Sequence, residues 1–488
     1  MIGDELKYRI LQSFHLTPTA EQTAALRVFA DFMTCRDSQT IMVLRGSAGT
    51  GKTTLAAAIV RGMMALKQKL VLMAPTGRAA KVFSLYAGCP AYTIHRRIYR
   101  QKSLEGGFDL NFNGAHDTLF IVDEASMIAN GETLLLDDLI RFVYNDRNCR
   151  LLLIGDRAQL PPVGEQESPA LQASVLRCYG MTVFEADLNE VLRQSQESGI
   201  LFNATRIRGE GREFRGERRE ERGERILMPQ IRLRNFDDIR IVPGDELIES
   251  LATSYGHAGV DDTIVITRSN KRANIYNQGI RNSVLDREDE LCRGDRLMIV
   301  KNNYYWIEES RHEAPHTSHL APREQCLDFI ANGDMAVVQR VRHIHEMHGF
   351  RFADITMTFP DYDDYELTAT VLLDTLTSEA PALTRDQQEQ LFTKVMEDYA
   401  DIPRKSDRMK ALKEDRYYNA LQVKFAYAAT CHKAQGGQWA HIYVDQGYMT
   451  DDMLSTDYLH WLYTAFTRAT EQLYLVNWPK TQIEEAED

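Results

Sequence analysis

This sequence has little that would tie it to a membrane, a disulfide framework or a metal cluster. No apolar run approaches the ~20 residues that a membrane-spanning helix needs, so no membrane partner is expected. The opening Met1-Ile-Gly-Asp-Glu-Leu-Lys7 lacks the basic-then-apolar pattern of a secretory leader. The 7 cysteines are scattered without a Cys-x-x-Cys pair, which fits a reducing, cytoplasmic setting. Basic residues are in deficit, 57 Lys and Arg against 70 Asp and Glu, for a net charge of −13. That balance argues against indiscriminate nucleic-acid binding. It leaves room for a local basic groove on an otherwise acidic surface. The apolar fraction is ordinary for a globular chain, and 488 residues suggest roughly three domains.

What stands out is Gly46-Ser47-Ala48-Gly49-Thr50-Gly51-Lys52-Thr53-Thr54, which fits Gly-x-x-x-x-Gly-Lys-[Ser/Thr] without a mismatch. It lies between the apolar strand Thr40–Arg45 and a helical segment from Thr53. Glycines let backbone N–H groups turn inward around phosphate oxygens, and the helix N-terminus adds partial positive charge. Lys52 can then reach the β- and γ-phosphates, and the Thr53 hydroxyl can ligate Mg²⁺. ATP and Mg²⁺ are the expected cofactors.

Two further apolar strands end in polar tips. Thr118–Val122 runs into Asp123-Glu124-Ala-Ser126. Asp123 suits a Mg²⁺-supporting carboxylate, and Glu124 suits the group that orients and deprotonates the attacking water. With both acids so used, no nuclease centre is evident. Leu151–Ile154 runs into Gly155-Asp156-Arg-Ala-Gln159-Leu-Pro161-Pro162. The Gln159 amide can bond both γ-phosphate and water, and the two prolines stiffen the next segment of chain. Arg193, in Leu-Asn-Glu-Val-Leu-Arg193-Gln194, and Arg468, in Tyr463-Thr464-Ala-Phe-Thr467-Arg468-Ala469, are candidates to neutralise charge on the γ-phosphate.

Strands alternate with helices over 1–195, the pattern of a parallel sheet wrapped by helices. Residues 96–117 interrupt it, basic first and then turn-rich, and read as an inserted β-hairpin. Arg-Gly-Glu recurs at 208, 215 and 222 without an apolar seam, so 196–235 reads as a charged linker. A second α/β pattern occupies 236–294 and 423–488. The intervening 295–422 holds short β-like pieces, a small barrel, then a charged tail of one or two helices. His312, His316, His319 and Cys326 are irregularly spaced, which favours a polar loop over a zinc site.

Phosphate loop, Asp-Glu-Ala-Ser, Gly-Asp-x-x-Gln-Leu-Pro-Pro, Thr430-x-His432-Lys433-x-Gln435-Gly436 and Tyr-Thr-Ala-x-Thr-Arg-Ala occur in this order from Thr17 to about Val476. The chain thereby resembles the superfamily-one DNA helicases of the RecD/Dda branch. The resemblance implies two RecA-like P-loop NTPase domains with ATP between them. It also implies a wedge-like hairpin in the first domain and an SH3-like β-barrel inserted in the second. It places Gln22 on adenine and Gly436 beside the nucleotide. It places Pro75, Thr76, Arg78, Thr93, His95, Pro162, Thr430, His432, Lys433 and Gln435 on single-stranded DNA or in its coupling to nucleotide. The implied activity is ATP-dependent 5′→3′ movement on single-stranded DNA with unwinding at duplex junctions, alongside protein partners in repair or recombination. An RNA-directed motor of the same superfamily stays open, as does a nucleotide-gated DNA-binding subunit without unwinding of its own.

Overall fold

The computed structural model describes residues 2–14, 16–101, 108–131, 134–145, 147–192, 197–214, 228–313 and 329–484. The chain forms an α/β fold of two lobes, each built on a parallel sheet, with a closed five-stranded barrel inserted in the second.

The first sheet has the spatial order Ala91–Thr93, Lys69–Ala74, Thr118–Val122, Arg150–Gly155, Thr40–Gly46 and Thr182–Leu188. All neighbours run parallel. Its central strands are apolar throughout because helices cover both faces; Leu151, Leu152, Leu153 and Ile154 are fully buried. Three neighbouring strands therefore deliver the phosphate loop, Asp123-Glu124 and Asp156–Gln159 to one edge, the carboxyl end of the sheet. Ligands of open α/β sheets bind at that end.

The second sheet has the order Ala428–Thr430, Thr263–Thr267, Trp439–Asp445, Ala469–Val476 and Ile239–Val242, again all parallel. The barrel closes through Arg296–Ile299, Met335–Met347, Phe350–Phe359, Tyr365–Leu372 and Leu421–Phe425. Val423 thus belongs to the barrel, and the second sheet resumes at Ala428, slightly beyond the expected 422/423 boundary. The charged tail forms two helices, Arg385–Asp398 and Lys405–Lys413. Barrel and lobe are pinned at Asp295, which is fully buried and receives Arg281 at 2.9 Å, Arg287 at 2.9 Å and the Tyr427 hydroxyl at 2.9 Å.

Two expectations change in outline. The interruption at 96–117 is a short helix, Ile94–Ile98, followed by a narrow two-stranded ribbon, Tyr99–Gln101 against Phe108–Leu110. The first part of the expected linker is a helix, Gly199–Phe214. Its start is capped from a distance: Asp238 accepts from Ser198 Oγ at 2.5 Å and from the Gly199 N–H at 2.8 Å. Ile200, Ala204 and Ile207 are buried in the core of the second lobe. The Arg-Gly-Glu units at 215 and 222, and His316, His319 and Cys326, lie outside the described residues.

Candidate active site between the two lobes

The phosphate loop leads from its strand into the helix Lys52–Ala65. Gly49 and Gly51 adopt φ of +77° and +73°, a region open to glycine and costly for residues with a Cβ. At Gly51 a Cβ would stand 2.4 Å from Gln22 Nε2. Gln22 is buried, donates to the Thr50 carbonyl at 3.1 Å, and accepts from the Thr19 N–H at 3.0 Å. It therefore braces the loop from behind as part of a helix capping box. Thr50 Oγ1 donates to the Ser47 carbonyl at 2.8 Å, and Lys52 Nζ donates to the Gly46 carbonyl at 3.0 Å. Lys52, Thr53, Ser47, Ala48, Gly49 and Gly51 line a cleft of approximately 1010 Å³ between the lobes.

Asp123 sits opposite Lys52. Its carboxylate accepts from the Glu124 N–H at 2.8 Å and from the Tyr86 hydroxyl. Burial raises its pKa, and the neighbouring Glu124 charge adds to that; Lys52 pulls the other way. A buried carboxylate held this way suits a divalent cation, with the Thr53 hydroxyl as second ligand. Glu124 has φ +52°, left-handed for a non-glycine residue, and this turns its side chain off the strand end.

From the second lobe, Arg468 completes the cluster at the end of the helix Thr456–Phe466. It is buried, with Nη1 3.5 Å from Glu124 Oε1 and 3.4 Å from the Gly437 carbonyl. The Gln159 amide, oriented by its neighbours, donates to Glu124 Oε2 at 3.0 Å and to Ser126 Oγ at 3.1 Å, and accepts from Arg468 Nη2 at 2.9 Å. Arg468 Nε is buried without a hydrogen-bond partner among the described residues, so the guanidinium keeps a donor in reserve. Carboxylate, amide and arginine thus converge from positions 124, 159 and 468.

The loop bearing Gln159 is knit to the second lobe. The Leu160 N–H donates to Thr464 Oγ1 at 2.8 Å, the Leu160 carbonyl accepts from Gln435 Nε2 at 2.7 Å, and His460 Nδ1 lies 2.8 Å from the Gln159 carbonyl. Tyr463 donates to Asp156 at 2.6 Å and accepts from the Ala48 N–H of the phosphate loop at 2.8 Å. Burial, then the Asp156 charge, drives the Tyr463 pKa far up, so it stays a hydroxyl. Arg208, within the first Arg-Gly-Glu unit, donates to Ser47 Oγ.

The residues expected on nucleic acid divide. Thr76 and Thr93 cap helices, accepting from Ala79 N at 3.2 Å and Arg96 N at 3.2 Å. Arg78 stacks 4.1 Å above Trp439 and donates to the Gln438 carbonyl at 2.7 Å, so it spans the lobes. Gly436, at φ +72°, approaches Thr76 and Ala79 of the first lobe. Gln435 is buried on Leu160 and faces the coupling loop. Pro75, Pro162, His95 and Thr430 are half-buried, and His432 is exposed. Lys433 donates to Asn332 of the barrel, and burial lowers its pKa to about 8. Phe112 is exposed beside Arg147, whereas Tyr99 is tied to Asp138 at 2.7 Å. Arg193 lies outside the described residues.

Sequence reading assigns no role to Tyr86, Ser126, Arg208, His460, Tyr463 or Thr464. Tyr463 and Thr464 sit inside a recognised motif, but only the packed lobes reveal their partners. Tyr86, His460 and Arg208 carry no local signal.

An AAA-domain family model matches residues 17–223, and a UvrD-like helicase C-terminal domain model matches 425–476. The chain is 36% identical over 129 residues to the ATP-dependent RecD2 DNA helicase of Deinococcus radiodurans, covering 25% of this chain and 16% of that protein. It is 29% identical over 179 residues to the ATP-dependent DNA helicase PIF6 of Trypanosoma brucei brucei, covering 33% of this chain and 21% of that protein. The matches therefore span about a fifth or less of either curated relative. Among solved structures, a Pif1 helicase from Bacteroides in complex with ADP-AlF3 and single-stranded DNA aligns over 97% of this chain and 95% of its own, with 15% identity and a TM-score of 0.47.

Proposed function

We infer that this chain, whose residues 17–223 and 425–476 match AAA-domain and UvrD-like helicase C-terminal models, is a superfamily-one, RecD/Pif1-like helicase that hydrolyses ATP to move along single-stranded DNA, 5′→3′, and to open duplex ahead of it. The observation that carries this reading is the meeting of Glu124, Gln159 and Arg468 across the lobe interface beside the phosphate loop. A site split between two lobes makes hydrolysis a change in how they are held together.

Lys52 and the loop N–H groups receive the β- and γ-phosphates, and Gln22 would take the adenine edge by exchanging its bonds to Thr50 and Thr19 for the base. Thr53 and Asp123 are the residues that would hold Mg²⁺, which would neutralise phosphate oxygens when bound. Glu124 accepts the proton of the attacking water, Gln159 fixes that water, and Arg468 neutralises charge developing on the γ-phosphate. Arg193 is the second arginine proposed for that role. Loss of the γ-phosphate removes what Arg468 grips. The Gln159–Leu160 loop passes this change through Thr464, His460 and Gln435 to the adjoining Thr430–Lys433 segment. Phosphate contacts from this segment and from the Pro75–Arg78 turn would hold DNA without reading sequence. The segment 96–117, whose described strands are Tyr99–Gln101 and Phe108–Leu110, is the proposed wedge, and the inserted barrel is SH3-like in this reading.

The test is ATP turnover of the purified chain with no polynucleotide, single-stranded DNA, single-stranded RNA and duplex, together with strand displacement from duplexes tailed at either end. Stimulation by single-stranded DNA and displacement from a 5′ tail are expected. Stronger stimulation by RNA would move the substrate class, and displacement from a 3′ tail alone would reverse the polarity. Lys52→Ala should abolish turnover while single-stranded DNA binding, read by anisotropy, persists; normal turnover in that variant would remove the assignment.

A further inference from the structure

We propose that His257, His441 and Glu471 form a binding site for a divalent transition metal of the zinc class on the second lobe. Their ligand atoms lie within 4.8 Å of one another. His257 ends the helix Leu247–His257, while His441 and Glu471 stand on the adjacent parallel strands Trp439–Asp445 and Ala469–Val476. Two imidazoles and one carboxylate are a ligand set that zinc-class cations favour over Mg²⁺ or Ca²⁺, which prefer oxygen alone.

The buried member of the trio carries the argument. His441 is 4% exposed, and its two ring nitrogens are treated differently. Nδ1 lies 2.8 Å from Ser254 Oγ, which in turn lies 2.7 Å from the Tyr443 hydroxyl. That chain fixes the ring, as outer hydrogen bonds fix a ligating histidine. Nε2 is shut off from solvent and has no hydrogen-bond partner among the described residues. An unpartnered buried nitrogen is rare and costly, and a metal would satisfy it. The His257 ring is stacked on that of His441, with centroids 5.4 Å apart and planes at 15°, so a turn of the exposed His257 ring would bring its lone pair to the ion that His441 Nε2 faces. Tetrahedral coordination with bonds of about 2.0–2.2 Å sets donors roughly 3.3–3.6 Å apart. The exposed His257 and Glu471 side chains would turn and close from separations of up to 4.8 Å around a fixed His441. Three protein ligands leave a fourth position for water. The bound ion would brace the end of one helix against two strands. Glu471 also borders the interlobe cleft, so the readout must be metal itself rather than turnover.

The full chain, stripped with a chelator and dialysed into excess Mg²⁺, is titrated with Zn²⁺ and separately with Co²⁺. The proposal expects one equivalent of tightly held zinc by elemental analysis, a visible Co²⁺ absorption band, and a rise in Tm with zinc. His257→Ala and Glu471→Gln, both at exposed positions where folding is safe, should each weaken that equivalent by tenfold or more and lose the Co²⁺ band. The proposal is overturned by a wild-type chain that shows no band and no Tm shift at micromolar metal. It is equally overturned if both variants keep the wild-type stoichiometry and affinity, since the metal would then sit elsewhere.

Discussion

Arg468 and Lys433 show how burial assigns work to a cation. Arg468 is enclosed, paired with Glu124, and still holds Nε unpartnered among the described residues. The role proposed for an arginine so placed is to neutralise charge at the γ-phosphate. Arg468→Ala is expected to lower kcat by ~10³–10⁵-fold while nucleotide binding changes little, checked by steady-state ATP turnover beside a fluorescent-nucleotide titration. Lys433 is held differently. Burial lowers its pKa to about 8, so it carries its charge at pH 7 and loses it as pH rises through that value. If it holds a DNA phosphate, single-stranded DNA affinity falls between pH 7 and 9 at constant ionic strength. Lys433→Arg, whose charge does not titrate there, should flatten the profile in an anisotropy assay.

Elements take their character from partners as much as from their own residues. The strand Thr182–Leu188 escapes sequence reading because Glu185 and Asp187 break its apolar pattern. Arg45 on the neighbouring strand accounts for both, at 2.8 Å to Glu185 and 2.7 Å to Asp187. The helix Gly199–Phe214 reads as linker because glycine and like charges weaken a helix on its own. Asp238 supplies its cap from beyond the repeat, and the second lobe's core receives its apolar face. The barrel docks on the first lobe through Tyr362, whose hydroxyl donates to Asp334 at 2.9 Å; a Cβ on Gly77 would stand 2.7 Å from that carboxylate. Burial raises the Asp334 pKa to about 7. The unfolded chain would release this proton near pH ~4, so between there and about 7 the native state holds a proton the unfolded state has lost. Stability then falls as pH rises across that window. Asp334→Asn should remove this part of the slope in chemical denaturation measured at pH 4.5, 6 and 7.5.

On the scale of the whole molecule, the two lobes meet through a small set of buried polar ties around Asp156–Leu160. Such ties are strong where water is excluded and costly to leave half made. Thr464→Val leaves the Leu160 N–H without its acceptor, at a cost of ~1–3 kcal/mol. Because Thr464 touches the coupling loop and not the phosphate loop, strand displacement is expected to slow more than ATP turnover. Equal slowing of both would place Thr464 in the chemical step. Tyr463 adds a contact that reaches the phosphate loop itself, on the Ala48 N–H, so the second lobe occupies a donor that the nucleotide phosphates would claim.

The sequence by itself determined the local chemistry: a glycine loop at a strand end, acids and an amide at the tips of two further strands, and an arginine just past the end of a late helix. Each follows from residue type, short spacing and apolar runs, which act over a few residues. Tertiary structure decided what these groups meet. Strand order set the three tips side by side, lobe packing brought Arg468 to Glu124 across 344 positions, and the same packing turned Arg78 and Gln435 toward the lobe interface. Distant partners leave no periodic trace in a chain, because desolvation and hydrogen bonding depend on proximity in space alone.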